Sequence, residues 1–142
     1  MCVCVCVCVC VCAAKAPGQV PKVSFHAMMT GAYTYNSGNR VLFDSVQCNE
    51  GGGYSYSNGI FTAPVTGTYV FMATVRNHSN GQNSIFYLTV KGDYWGYIDT
   101  PDSSTVHAVA SLNKGEQVWV QSAGSYTCRA NSTMFSGALV AA

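Results

Sequence analysis

Asp93, Asp99 and Asp102 fall in one short stretch of this chain, interleaved with Tyr94, Trp95 and Tyr97. Carboxylates near each other on a loop suit a calcium ion, and rings beside them suit stacking on a sugar, so the segment from Gly92 to Ser104 is the first candidate ligand surface. Tyr94, Trp95, Tyr97, Asp99 and Asp102 head that site and Arg129 stands second. Asp93, Asp99 and Asp102 are weak calcium candidates, since no motif spacing accompanies them. Solvated turn acids and buried or interfacial rings are the commoner uses of these residue types.

Catalysis finds less support. The chain has three histidines, His26, His78 and His107, and six acidic residues scattered among strands and turns. His26 and His107 lie in alternating stretches and His78 lies in a polar turn beside Asn77, so no nucleophile, base and orienter are seen to converge. The triple glycine Gly51 to Gly53 is not followed by a lysine and a helix, which makes it a flexible corner rather than a phosphate loop. No enzyme, no catalytic residue and no cofactor beyond the calcium option is expected.

Charged residues make up 9% of the chain and the net charge is +1, so there is no electrostatic footprint for nucleic acid or for an anionic membrane. No stretch reaches the ~18 apolar residues that span a bilayer. Six of the eight cysteines lie in the Cys-Val alternation from Cys2 to Cys12. Met1 followed by that alternation is what a start codon inside a TG repeat would encode. The other readings are a thiol tract for metal, which the i, i+2 spacing disfavours, and a secretion signal ending near Ala14-Lys15-Ala16. Residues 1–20 therefore stand apart as a low-complexity head and linker, and residues 21–142 form one domain. Within it, Cys48 and Cys128 are disulfide candidates, with two free thiols as the alternative. Asn77 and Asn131 open glycosylation sequons, which matter only in a secreted chain.

The elements that must position these residues are strands. Alternating or continuous apolar runs predict strands over Lys22 to Met28, Val41 to Gln47, Ile60 to Ala63, Thr68 to Arg76, Ser84 to Lys91, Thr105 to Leu112, Gln117 to Ser122 and Thr133 to Ala141, and no segment has a helical period. Asn80-Gly81, Gly92-Asp93 and Lys114-Gly115 tolerate the positive φ of tight hairpins. So many short strands predict an all-β, two-sheet antiparallel jelly-roll sandwich of about ten strands. Both faces of some strands are apolar. Tyr69, Phe71, Ala73 and Val75 are opposed by Val70 and Met72, while Phe86, Leu88 and Val90 are opposed by Ile85 and Tyr87. Consecutive double-sided strands predict a contiguous patch and a subunit interface.

Phe43, Asn49, Tyr54, Phe61, Gly67, Tyr69 and Phe71 follow the order and spacing of the signature of the complement C1q globular-head family, within the tumour necrosis factor-like superfamily. Ala73 departs from it, standing where a second aromatic is usual, so a neighbour must refill that volume. Val23-Ser24-Phe25-His26-Ala27 and Phe135-Ser136-Gly137-Ala138-Leu139-Val140 resemble the same family, and together the matches cover nearly the whole globular part. The resemblance implies a secreted, non-enzymatic module that forms a homotrimer, or a heterotrimer with related chains. It further implies multivalent binding of glycan, microbial-surface or protein ligands, as in lectin-like pattern recognition in innate immunity, with a collagen-like stalk a frequent companion. A structural matrix or receptor-ligand trimer without pathogen recognition is the competing expectation.

Overall fold

In the computed structural model, which describes residues 18–78 and 81–142, two five-stranded antiparallel sheets stack around one core. The first sheet has the order β3 (Ser45–Glu50), β1 (Ser24–Met28), β12 (Met134–Ala141), β6 (Gly67–Arg76), β9 (Ser103–Leu112). The second has the order β4 (Tyr54–Ser55), β5 (Ile60–Thr62), β10 (Gln117–Ser122), β7 (Ser84–Val90), β8 (Asp93–Thr100). A small ribbon pairs β2 (Tyr33–Tyr35) with β11 (Tyr126–Cys128). The chain is all-β among the described residues, a jelly-roll sandwich as the spacing of rings and turns predicts. The Cys-Val tract, the possible cleavage site, and Ser79 and Asn80 of the sequon and turn readings lie outside the described residues.

Period-two alternation puts one side of each strand into the space between sheets. Along β6, Tyr69, Phe71, Ala73 and Val75 are buried. They meet Phe86, Leu88 and Val90 of β7, Val118 and Val120 of β10, and Phe25 and Phe135 in one core cluster. The signature residues each have a visible task. Phe25 stacks on Tyr54 with ring centroids 4.9 Å apart, and Phe61 lies edge-on to Phe71 at 5.3 Å. The buried Tyr54 hydroxyl donates to the Phe43 carbonyl at 3.0 Å and accepts from the Phe43 amide at 3.2 Å, which ties a loop to the core. Asn49 closes the same corner, its side-chain nitrogen donating to Tyr54 O and its oxygen accepting from Tyr54 N. A Cβ at Gly67 would lie 2.4 Å from the Ala141 carbonyl oxygen, so only glycine admits the C-terminal strand there. Opposite Ala73 in register stands Phe135, whose ring packs on Phe25 and Phe43; it supplies the volume that an aromatic at position 73 would fill.

Three expectations are revised. The stretch from Gly92 to Ser104 is mostly strand rather than loop. Lys91 and Gly92 both adopt positive φ, 56° and 90°, and this tight reversal lays Asp93–Thr100 along β7 as an edge strand. Residues 41–43 do not open a strand with 45–47: Val41 N donates to Val120 O of the second sheet, and β3 begins only after the chain has crossed to the first. The apolar outer residues of β6 and β7 also form no single patch. These strands belong to different sheets, so their outward side chains point away from one another. Over β7 the cover is intramolecular, with Tyr94 stacked on Tyr87 at 4.1 Å and an interplanar angle of 13°. On the first sheet Met72 and Val109 remain 52% and 61% exposed.

Candidate functional site

The outer face of the second sheet carries the aromatic residues. Tyr94 and Tyr97 sit opposite Thr89 and Tyr87, and Trp95 occupies a bulge, because Leu88 pairs with Gly96 and Thr89 with Tyr94. The extra residue in β8 therefore brings Trp95 out with its neighbours: Tyr94, Trp95 and Tyr97 are 57%, 47% and 65% exposed. The next strands continue the face. Trp119 pairs with Thr89 and Gln121 with Tyr87, so both share the outward side. Trp119 Nε1 donates to Gln121 Oε1 at 3.2 Å, and Gln121 Nε2 donates to the Tyr94 hydroxyl at 3.4 Å. The Arg40 guanidinium lies 5.7 Å from the Trp119 ring centroid, within cation–π range. The result is a platform of rings with fixed polar edges, open to solvent.

Of the residues picked from sequence, the structure brings Tyr94, Trp95, Tyr97 and Asp99 onto this face and leaves the others off it. Asp102 lies past the end of β8, 3.6 Å from Arg76 Nε, and the Arg129 amide donates to the Arg76 carbonyl, so this pair marks one end of the sandwich. Asp93 pairs with Val90 at the far end of β8. With a strand rise of ~3.3 Å per residue, Asp93 and Asp99 are roughly 20 Å apart, beyond sharing one calcium ion. Among the described residues no three His, Cys, Asp or Glu side chains form a group that could hold a metal. Arg40, Tyr87, Trp119 and Gln121 escaped sequence reasoning. Alternation marks Tyr87, Trp119 and Gln121 as outward-facing, yet only the strand order β10-β7-β8 makes them neighbours of Trp95 and Tyr97, and Arg40 joins them through an isolated bridge to Gln121.

The cysteine pair is not bridged. Cys48 is exposed on β3 opposite His26, whereas Cys128 is buried in β11 opposite Tyr33, and both thiols are free. Burial pushes the Cys128 thiol up to about 12, which leaves little thiolate to attack a disulfide at neutral pH. Asn77 is also a poor glycan carrier in this fold: it is 3% exposed and its side-chain nitrogen donates to Gln82 O at 2.6 Å. Asn131 sits exposed in a turn at φ 59°. One unforeseen polar contact joins His26 Nδ1 and Ser136 Oγ at 2.6 Å on the outer face of the first sheet. The ring has no other hydrogen bond among the described residues.

The architecture defines the class: a jelly roll of the kind shared by C1q heads and tumour necrosis factor ligands. A family model described as the C1q domain matches residues 24–140, and the chain belongs to the C1q domain family. Complement C1q tumor necrosis factor-related protein 3 of Homo sapiens and that of Mus musculus are each 30% identical over 106 residues. The match covers 70% of this chain but 43% of those relatives' length. Among solved structures, the globular domain of zebrafish complement 1qA superposes with a TM-score of 0.66 at 17% identity, covering 84% of this chain and 98% of that one. Eiger TNF from S. frugiperda gives 0.68 at 13% identity, covering 85% of this chain and 94% of its own. At such identities the likeness is one of fold. No helix among the described residues is long and apolar enough to cross a membrane.

Proposed function

We propose that this chain is a non-enzymatic, secreted C1q-type recognition module that assembles as a trimer and binds glycan, microbial-surface or protein ligands outside cells. The observation that carries this reading is the asymmetry of the two outer faces. The first sheet exposes Met72 and Val109 beside a shallow depression of about 320 Å³ lined by Val70, Met72 and Ala138, over Phe25 and Phe71. That face suits a sister copy, because burying it removes apolar area that a lone domain leaves wet. The second sheet presents the ring platform of Tyr94, Trp95 and Tyr97 with Asp99, Gln121 and Arg40, a combination that stacks on sugar rings and hydrogen-bonds their hydroxyls. Three copies of a weak site held together gain ~10²-fold or more in apparent affinity, so modest contacts suffice.

The test is a glycan and lipopolysaccharide array probed with the full chain and with its Trp95→Ala/Tyr97→Ala variant. Both rings are solvent-exposed, so the variant is expected to fold and assemble as the parent does while its array signal falls at least about tenfold. Equal signals from both proteins on every positive feature would remove the platform from the proposal. A matrix or receptor-ligand trimer shares the assembly but predicts a blank array.

A further inference from the structure

Strands β1, β12, β6 and β9 contain one arginine, Arg76 at the end of β6, and no lysine, aspartate or glutamate. Lys22 and Glu50 lie at the opposite end of the sheet, beside Ser24. Between these margins the outer face of the first sheet carries two histidines on one row. His26 stands opposite Ser136, Ser136 opposite Met72, and Met72 opposite His107. His26 is half-buried and His107 exposed. Toward His26, β12 presents Ser136, whose Oγ lies 2.6 Å from His26 Nδ1, while β3 presents Cys48 in register and Glu50 on the diagonal, ~7 Å away between Cβ atoms. Toward His107, β6 presents the uncharged Val70, Met72 and Thr74. On the other side β8 carries Asp93, Tyr94, Tyr97 and Asp99. Tyr94 stacks on Tyr87, Tyr97 and Asp99 stand opposite Tyr87 and Ile85 on the outer face of the second sheet, and Asp93 sits at the β7–β8 turn. The ion pairs among the described residues are Arg76–Asp102 and Lys91–Glu116, and neither involves a histidine.

We infer that protonation of His26 and His107 takes the trimer apart in mildly acidic solution, so that assembly, and multivalent binding with it, holds near neutral pH and is released in acid. This rests on the reading that sister copies meet through the first-sheet face. A sister copy suits that face because it brings an equally uncharged surface, and the joint then buries no fixed charge at neutral pH. Histidine is the side chain whose ordinary change of charge falls between about pH 5 and pH 8. A neutral imidazole is a flat ring that can be covered beside Met72 and Val109. A protonated one is a cation that must be dried where four strands offer no carboxylate, and every copy adds two of them. The Ser136 hydroxyl can donate to a neutral ring or accept from a protonated one, so that bond survives the change and the interface bears the cost. The separate chain therefore binds more protons than the assembly. Association is complete above the imidazole range and weakens as pH falls through it. At about tenfold per proton and two histidines per copy, the association constant falls by up to ~10⁶-fold. The chain concentration at half assembly varies as the inverse square root of that constant and rises by up to ~10³-fold.

The test is sedimentation of the full chain under reducing conditions and constant ionic strength, over a dilution series at several values from about pH 7.5 to about pH 5.5. The parent is expected to be trimeric at the neutral end and monomeric at the acid end, its half-assembly concentration rising at least about a hundredfold. Its amide dispersion is expected to stay unchanged and the trimer to re-form on return to neutral pH. His26→Gln/His107→Gln keeps neutral polar groups at both positions and is expected to remain trimeric in acid. His78→Gln, at an exposed position beyond β6, is expected to behave as the parent does. Should the double variant fail to assemble even at neutral pH, the slope of the logarithm of the association constant against pH decides, since it counts the protons taken up on dissociation. Each single variant is then expected to lose about half of the parent's slope, and two single variants with the full slope overturn the inference. A parent that is monomeric at every pH removes the trimer reading and the inference with it. A trimer that persists unchanged in acid overturns the inference and leaves the trimer reading standing. Acid dissociation that persists in the double variant, or that comes with lost amide dispersion, also overturns it.

Discussion

Tyr54→Phe isolates one atom's contribution to the fold that carries both outer faces. The ring stays, so its stack on Phe25 at 4.9 Å and its edge contact with Phe135 at 6.1 Å are retained. What disappears is the hydroxyl that joins Phe43 N and Phe43 O, both belonging to a residue with no solvent exposure. A buried amide or carbonyl left without a partner costs about 1–3 kcal/mol, and removing the phenol's own desolvation penalty offsets part of that, so the net loss is about 2–4 kcal/mol. For a domain of this size, that corresponds to a Tm roughly 6–15 °C lower at equal protein concentration. Tyr69→Phe is the internal comparison, because its ring is buried too but its hydroxyl makes only one bond, to Val65 O at 2.7 Å. It is expected to cost about 1 kcal/mol. Calorimetry and urea titration of the full chain give both values. A Tyr54→Phe loss no larger than that of Tyr69→Phe would refute the claim that this phenol ties the Phe43 loop to the core.

Two further outcomes follow from exposure and burial. Met72→Lys places a charge on a half-exposed outer position, so the isolated fold is expected to change by less than about 0.5 kcal/mol. The same charge would be buried in an assembly through that sheet face, so light scattering is expected to report monomer where the parent gives a trimer; an unchanged trimer places the interface elsewhere. Native alkylation followed by peptide mapping is expected to label Cys48 quickly and Cys128 only after unfolding, and a Cys48–Cys128 disulfide-linked peptide would contradict the free thiols found here.

Much of the architecture was legible in the residues because strand periodicity and turn chemistry are local. Tyr69, Phe71, Ala73 and Val75 announce an inward face whatever lies opposite, and Asn49, Tyr54 and Gly67 keep their signature positions because each fits a particular backbone partner. The short pieces were harder. Tyr33–Tyr35 and Tyr126–Cys128 are three-residue strands, too brief for a period to register, and each forms only because the other is delivered alongside it. β8 was hidden for another reason: an edge strand with exposed rings and acids has the composition of a loop, and only its pairing with β7 tells the two apart.

The sites divide along the same line. Residue order by itself determined that Tyr94, Trp95, Tyr97 and Asp99 travel together, since neighbours in the chain remain neighbours in an extended strand. Tertiary structure decided that Asp93 and Asp99 are too far apart to share an ion, because a strand moves its residues steadily away from one another. It separated Cys48 from Cys128 by placing one on an exposed edge strand and the other, buried, within the β2–β11 ribbon. It also brought Trp119, Gln121 and Arg40 to the ring platform, and His26, Met72 and His107 into one row across the first sheet. Those meetings depend on which strands lie side by side and where the chain crosses between sheets, and pairing between distant segments is a property of the packed whole that no local pattern encodes.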